Sequence, residues 1–535
     1  MQARYTGQVT AAEWRWVTTG ATILALFILL PMILLPVRLT DPSRAFMGAL
    51  HAPDGAAQVL SIVRIGQDNG WLWRALHTGE AQSGIFADPL YIVVGQLARI
   101  TGLDGITLFH IARALAALFM FHALYVLGAA IWTRLTIRRV FWSIASVGAG
   151  FGWLIPSGAA DTVGSGLYPF QAALLNVHLP LAIACLAFLS AAILDALAPD
   201  NTTKPSVINS GLTLIVFSIV LALIYPQALG PVTVTFGALL AVDGVRRSRL
   251  RRNALWYLWM VTPALPILAY NLILTTSYPL ISMLWELRGR DTVPAVGPLL
   301  IGIGLPGLIA LPGMWRGLRR FEPDGSAYML VWLAAMVVMA FTLPFVYGGF
   351  LTGLMIPVAY FAARATEDVW FPRLQNRRWR YRVVAVILPL IAASHAAVML
   401  APLELAQRRV TLPADYLRAF QLVRGTGRQV VLAAPQVSVW LPVWAGQQVV
   451  SAGPALTLNA GRKAEAVAAF FTADDPGDCQ PVLRGAGSAA GRYQVGIVLV
   501  GPYERAIGQS TVCLDPLAFL AKYGDVEVYR VPATP

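Results

Sequence analysis

Six carboxylates fall in one stretch of about 65 residues, Arg38 to Gly105: Asp41, Asp54, Asp68, Glu80, Asp88 and Asp104. His51, His77, Trp71 and Trp73 share that stretch. A carboxylate can take the proton of an attacking hydroxyl held about 3 Å away. With phosphate oxygens it can also share Mg²⁺ that keeps its waters. Just beyond, in Phe109-His110-Ile111-Ala112-Arg113, His110 and Arg113 are three residues apart and so lie on one helix face. Arginine is the side chain suited to phosphate. Asn176-Val177-His178-Leu179-Pro180 adds a second polar group, and Ser277 to Val296 carries Trp285, Glu286, Arg288, Arg290 and Asp291. Each residue also has a plain structural reading. Asp54 lies between Pro53 and Gly55, as a turn aspartate does. Glu80 and Asp88 read as solvated or capping residues, His178 as a histidine satisfied by a carbonyl, and Trp285 as an interfacial anchor. The sequence past residue 405 shows no nucleophile elbow or glycine-rich phosphate loop, and the three cysteines form no metal-type cluster.

The elements that position these residues are apolar. Of 535 residues, 57% are hydrophobic and 13% charged, and the mean hydropathy is +0.64. Soluble domains carry about 25% charged residues. Spanning a bilayer core takes roughly 20 apolar residues as helix. Eleven spans are expected, at 17–37, 106–132, 140–156, 172–197, 208–226, 229–243, 254–274, 297–313, 327–345, 348–364 and 382–402. The first run, Thr18 to Val37, lacks a small-residue cleavage site and reads as a signal anchor. The net charge of +13 resides mostly in short loops, where it marks topology and anionic-lipid contact, not nucleic acid. Arg134, Arg138 and Arg139 follow the second span, and Arg246, Arg247, Arg249, Arg251 and Arg252 the sixth. Arg316, Arg319 and Arg320 follow the eighth, and Arg373, Arg377, Arg378, Arg380 and Arg382 the tenth. Clusters after even-numbered spans put the N-terminus in the cytoplasm and, with an odd count, the C-terminus outside.

The expected fold is therefore an α-helical polytopic membrane domain, residues 1–404, with a large external loop at 38–105. A small extracytoplasmic α/β domain occupies 405–535. In the loop, Ala56 to Asn69 and Pro89 to Leu103 carry apolar residues at helical spacing and read as amphipathic helices on the membrane surface. In the C-terminal domain, 413–424, 462–472 and 515–523 read as helices, and 428–434, 447–451, 493–500 and 526–531 as strands. Gly501-Pro502-Tyr503-Glu504-Arg505 reads as a structural strand exit. Cys185 reads as a packing residue; Cys479 and Cys513 could pair if their domain is exported. His122 and His395 read as packing residues, and Asp195 and Asp243 lie toward the cytoplasmic side.

The order of the external loop resembles the bacterial GT-C superfamily of membrane glycosyltransferases. That order is Asp54, a surface helix, Gly70-Trp71-Leu72, Thr78-Gly79-Glu80, Asp88-Pro89-Leu90-Tyr91, Gly95-Gln96-Leu97-Ala98 and Phe109 to Arg113. The resemblance is nearest to the branch with a short α/β domain after the last helix. It implies sugar transfer from a polyprenyl-phosphate donor to a lipid, glycan or protein acceptor, on the outer face of a bacterial cytoplasmic membrane. It further implies Asp54 as catalytic base, and Arg113 and Arg288 as holders of the donor phosphate. Asn176, His178, Glu80, Asp88, His110 and Glu286 would line the substrate site, and a divalent cation, Mg²⁺ or Mn²⁺, could assist. Phe350-Leu351-Thr352-Gly353-Leu354-Met355-Ile356-Pro357 is similar to a common family segment. Relatives often carry arginines just before that phenylalanine, where this chain has Tyr347-Gly348-Gly349. Arg113, Arg288 or Arg290 would then substitute. A transporter or flippase is the rival reading, although no internal repeat is visible. A non-catalytic relative in cell-envelope assembly is the third.

Overall fold

The computed structural model describes residues 9–38, 41–155, 158–163, 166–197, 210–247, 250–289, 293–321, 325–343, 348–374, 376–405, 407–485 and 493–532. In chain order the helices are α1 (Ala11–Arg38), α2 (Pro53–Gln67), α3 (Pro89–Thr101), α4 (Gly105–Ile131), α5 (Leu135–Val147), α6 (Pro169–Leu175), α7 (His178–Ala196), α8 (Ser210–Ile224), α9 (Pro226–Arg247), α10 (Leu250–Ser277), α11 (Pro279–Gly289), α12 (Val296–Arg320), α13 (Ser326–Thr342), α14 (Met355–Ala365), α15 (Arg377–Leu405), α16 (Ala414–Arg424) and α17 (Ala460–Thr472). The strands are β1 (Arg44–Phe46), β2 (Thr411–Pro413), β3 (Val430–Leu432), β4 (Gln448–Val449), β5 (Val495–Val500), β6 (Ala518–Tyr523) and β7 (Val526–Arg530).

Among the described residues, six helices are long and apolar enough to cross a membrane: Ala11–Leu35, Gly105–Ile131, His178–Ala196, Ala254–Ser277, Val296–Arg320 and Arg378–Ala401. Ser210–Ile224, Pro226–Val242 and Ser326–Thr342 are shorter apolar helices. Two expected spans differ more. The run 140–156 holds only the end of α5, which stops at Val147 where Gly148, Gly150 and Gly152 follow. The run 348–364 begins as a short 3₁₀ turn, and α14 starts only after Gly353, whose φ is +76°.

The chain forms two compact units. The first comprises residues Met1–Pro31, Ala112–Ile273 and Gly289–Ala401. Its core is aromatic, with Tyr125, Phe121, Phe141, Tyr328, Trp332 and Phe361 fully buried. Arg138 pairs with Glu13 at 2.8 Å, and Tyr125 donates to the same carboxylate. Arg134 pairs with Glu367 and Arg316 with Asp368. These pairs tie the segment after α4 and the last turns of α12 to the segment that follows α14.

The second unit gathers Met32–Ile111, Leu274–Arg288 and Pro402–Pro535. The external loop thus shares a compact body with the C-terminal domain and α11, a grouping that the expected boundary at 404/405 does not follow. β1 pairs antiparallel with β2, with Phe46 opposite Thr411. The larger sheet runs β4-β3-β5-β7-β6; β3 is parallel to β4 and β5, and β7 is antiparallel to β5 and β6. The expected helix at 515–523 is strand β6: its hydrogen bonding to β7 overrides the helical propensity of its alanine, leucine and lysine. Cys479 and Cys513 form a disulfide against a core of Phe470, Phe471, Val482 and Val498. Glu504, fully buried, accepts from Tyr416 and from the backbone N–H of Ala434 and Gly501, which makes the Gly501 segment structural.

Candidate active site

The two helices of the external loop begin alike. Ala52 and Asp88 hold left-handed backbone, with φ of 44° and 48°, and a proline opens each helix. Left-handed backbone costs a residue with a Cβ roughly 1–2 kcal/mol. Both turns are therefore held by their surroundings. Part of that hold is the crossing of α2 and α3 at glycines. A Cβ on Gly66 would lie 2.3 Å from the carbonyl oxygen of Ile92, and one on Gly95 would lie 2.0 Å from that of Val63. Only hydrogen fits there, so the crossing fixes where α2 presents its first turn.

That first turn carries Asp54, exposed and with no hydrogen-bond partner among the described residues. Its carboxyl reaches solvent, yet the protein packed around it desolvates it and raises it above the ordinary aspartate range, against the opposing pull of Arg409. A carboxylate with raised proton affinity and free lone pairs is suited to taking a proton. The expectation that both loop helices lie on a membrane surface needs correction for α2. Its apolar residues Val59, Leu60, Ile62 and Val63 are buried in the unit's own core. α3 does leave an apolar stripe uncovered, at Val93, Leu97 and Ile100.

The other site residues of the second unit are placed as follows. Glu80 is neither solvated nor open to a ligand: it is fully buried, with Oε1 2.7 Å from Lys463 Nζ and Oε2 accepting from Thr78. Burial pushes its carboxyl up, but the charge and hydrogen bond of Lys463, with that of Thr78, outweigh it and hold the group below the ordinary glutamate range. Lys463 also donates to Thr78 and lies over the ring of Tyr493. Asp88 is half-buried at the start of α3, its side chain making no cap hydrogen bond. His110 is half-buried, with Nε2 2.8 Å from the carbonyl of Gly48. Glu286 is exposed on α11. The side chain of Arg288, and Arg290, Asp291 and Tyr347 entirely, lie outside the described residues.

The remaining site residues belong to the first unit. Arg113 is 2% exposed on α4. One Nη donates to the carbonyl of Leu174, while Nε and the other Nη have no partner among the described residues. A buried cation is ordinarily paired, because desolvating it alone costs several kcal/mol. Asn176 accepts from the backbone N–H of Leu179 and so caps the start of α7, a structural use of the amide. His178, half-buried, lies against Tyr225, the ring centres 5.4 Å apart and the planes tilted by 37°. His122 lies between Thr18 and the carbonyl of Leu118, and His395 beside Gln171, as packing histidines do.

Among the described residues, no group of three or more His, Cys, Asp or Glu side chains is placed to hold a metal ion. Sequence reasoning missed Arg74, Arg409, Gln58 and Ser61. Gln58 and Ser61 follow Asp54 at i+4 and i+7, the one signal that could have flagged them.

No protein-family model matches the chain, and no curated protein matches it by sequence. Solved structures do match. The oligosaccharyltransferase of Archaeoglobus fulgidus, tethered with an acceptor peptide, gives a TM-score of 0.52 at 12% identity over 96% of this chain and 74% of that one. ArnT from Cupriavidus metallidurans, bound to undecaprenyl phosphate, gives 0.53 at 14% identity over 98% of this chain and 99% of that one. The arabinofuranosyltransferase AftD from Mycobacteria gives 0.53 at 14% identity, over 99% of this chain but 42% of that one. All three are GT-C glycosyltransferases, and at these identities the likeness establishes the fold. The chain has the GT-C fold.

Proposed function

We propose that the chain is a membrane glycosyltransferase. It moves a sugar from a polyprenyl-phosphate donor to a hydroxyl of a glycan, lipid or protein acceptor, on the outer face of a bacterial cytoplasmic membrane. The observation that carries this reading is Arg113, a guanidinium sealed inside a membrane bundle with two nitrogens unpaired among the described residues. Such a group calls for an anion from outside the chain, and a lipid-borne phosphate is the anion a membrane supplies. ArnT, which shares the fold, was crystallised with undecaprenyl phosphate.

In the step itself, the acceptor oxygen bonds to the anomeric carbon. The bond from that carbon to the phosphate oxygen breaks, and the polyprenyl phosphate leaves with its electron pair. The acceptor's proton passes to the carboxylate of Asp54. Arg113 holds the phosphate, whose charge grows as the bond breaks, so its contribution is largest in the transition state. The exposed stripe of α3 rests in the lipid interface. The arginine-rich ends tied by Glu367 and Asp368 face the cytoplasm. The Cys479–Cys513 disulfide suits an exported C-terminal domain.

The test is transfer of labelled sugar from polyprenyl-phosphate sugars in proteoliposomes, with wild type beside Asp54→Asn. Wild-type transfer reduced about a hundredfold or more in the variant is expected for loss of a general base. The acidic limb of the wild-type pH profile should lie above the ordinary aspartate range. Equal rates in both proteins would remove Asp54 from the chemistry. Binding of the donor without any transfer would favour a non-catalytic role.

A further inference from the structure

Along α2, one turn beyond Asp54, Gln58 and Ser61 form one wall of a narrow cleft, and Arg74 and Trp73 line it from the loop. Leu284 and Leu287 of α11 also line it. The space admits a small group rather than a whole sugar ring. Its polar equipment is unbalanced. Arg74 is partly buried and makes no ion pair or hydrogen bond among the described residues. Its nearby charged neighbour is another arginine, Arg428, likewise without an ion pair among the described residues. Burial, with the like charge of Arg428, lowers the proton affinity of Arg74. The side-chain amide of Gln58 has no partner either among the described residues, while the Ser61 hydroxyl donates to the Gln58 carbonyl and keeps its lone pairs.

A guanidinium in the cleft wall with no acid paired to it among the described residues, beside a free amide donor, matches a small anion with several acceptor oxygens. We propose that this cleft binds a phosphate or carboxylate substituent carried by the acceptor, so that the acceptor is an anionic glycan or glycolipid. The proposal rests on the reading of Asp54 as the base of a transferase. It assigns the acceptor's charge to Arg74 and leaves the donor's phosphate to Arg113.

The experiment uses the full chain in lipid nanodiscs, with glucose 6-phosphate, glucuronate, glucose and undecaprenyl phosphate as calorimetric probes. At least one anionic sugar should bind saturably where glucose does not, and which one binds separates phosphate from carboxylate. Arg74→Gln should weaken that binding about 10- to 100-fold, the loss expected for a hydrogen bond to a charged group. Arg74→Lys should keep it within about tenfold, showing that charge rather than folding was lost. Undecaprenyl phosphate should bind Arg74→Gln as it binds wild type. Equal binding of glucose, or no anion binding, would overturn the proposal. So would a parallel loss of undecaprenyl phosphate, which would place the donor in the cleft. If the anion binds as expected but wild type transfers no sugar, the transferase reading fails, and with it the assignment to an acceptor.

Discussion

Lys463 and Arg113 are both cations sealed inside protein, one in the α/β unit and one in the helical bundle, and their surroundings differ in kind. Lys463 meets a carboxylate at 2.7 Å, a threonine hydroxyl and an aromatic ring. Arg113 meets one backbone carbonyl and has two nitrogens without a partner among the described residues. A buried charge whose partners are all intramolecular is part of the architecture. One whose partners are incomplete among the described residues still has donors to offer. The contrast also sorts the carboxylates: Glu80 is consumed by Lys463, whereas Asp54 accepts from no described group.

The largest effect should come from breaking the complete pair. Glu80→Gln leaves Lys463 buried without a counter-charge, which should cost about 3–5 kcal/mol of stability in denaturant melts, with undecaprenyl phosphate affinity unchanged. An unaltered melt would break the comparison. The next effect sharpens it through a group that avoids being a buried cation. Burial holds the His77 imidazole down to about 4, its Nε2 bonded to the carbonyl of Val439. The unfolded imidazole takes up a proton near pH 6.5. The stability contribution is therefore complete above that pH and is lost as pH falls toward 4, by about 3 kcal/mol. Melts at pH 7 and pH 4 should show the loss, and His77→Gln should flatten it. The smallest effect is the most diagnostic. Arg113→Gln should weaken undecaprenyl phosphate binding about 10- to 100-fold while stability holds or rises, since an incompletely paired charge has been removed. A stability loss as large as that of Glu80→Gln would make Arg113 architectural.

The helices α4, α7, α10, α12 and α15 were legible because long apolar runs admit few alternatives. The strands β5 and β7 were legible through valine-rich runs. β6 was not, because its state is set by pairing with β7 rather than by its own residues. Asp54 was singled out only through family order, since Pro53-Asp54-Gly55 on its own is an ordinary turn. The Glu80–Lys463 pair could not be read at all. Its members are remote in sequence, and nothing local to Thr78-Gly79-Glu80 announces a buried partner. Arg74 was passed over for the same reason: what distinguishes it is the absence of a nearby acid among the described residues, a property of the folded chain.

The ribbon of β1 and β2 has a consequence for how the protein is made. Arg44 and Thr411, joined across it, are 367 residues apart. At synthesis rates of roughly 5–20 residues per second, β1 emerges roughly 20 to 70 s before β2 exists. Through that interval the segment that carries β1 has been made without the strand that completes it, and the C-terminal part of its unit is not yet translated. The unit that carries Asp54 therefore assembles last. Truncation anywhere before Thr411 should leave a chain that inserts its helices normally and yet exposes α2 to proteases and chaperones.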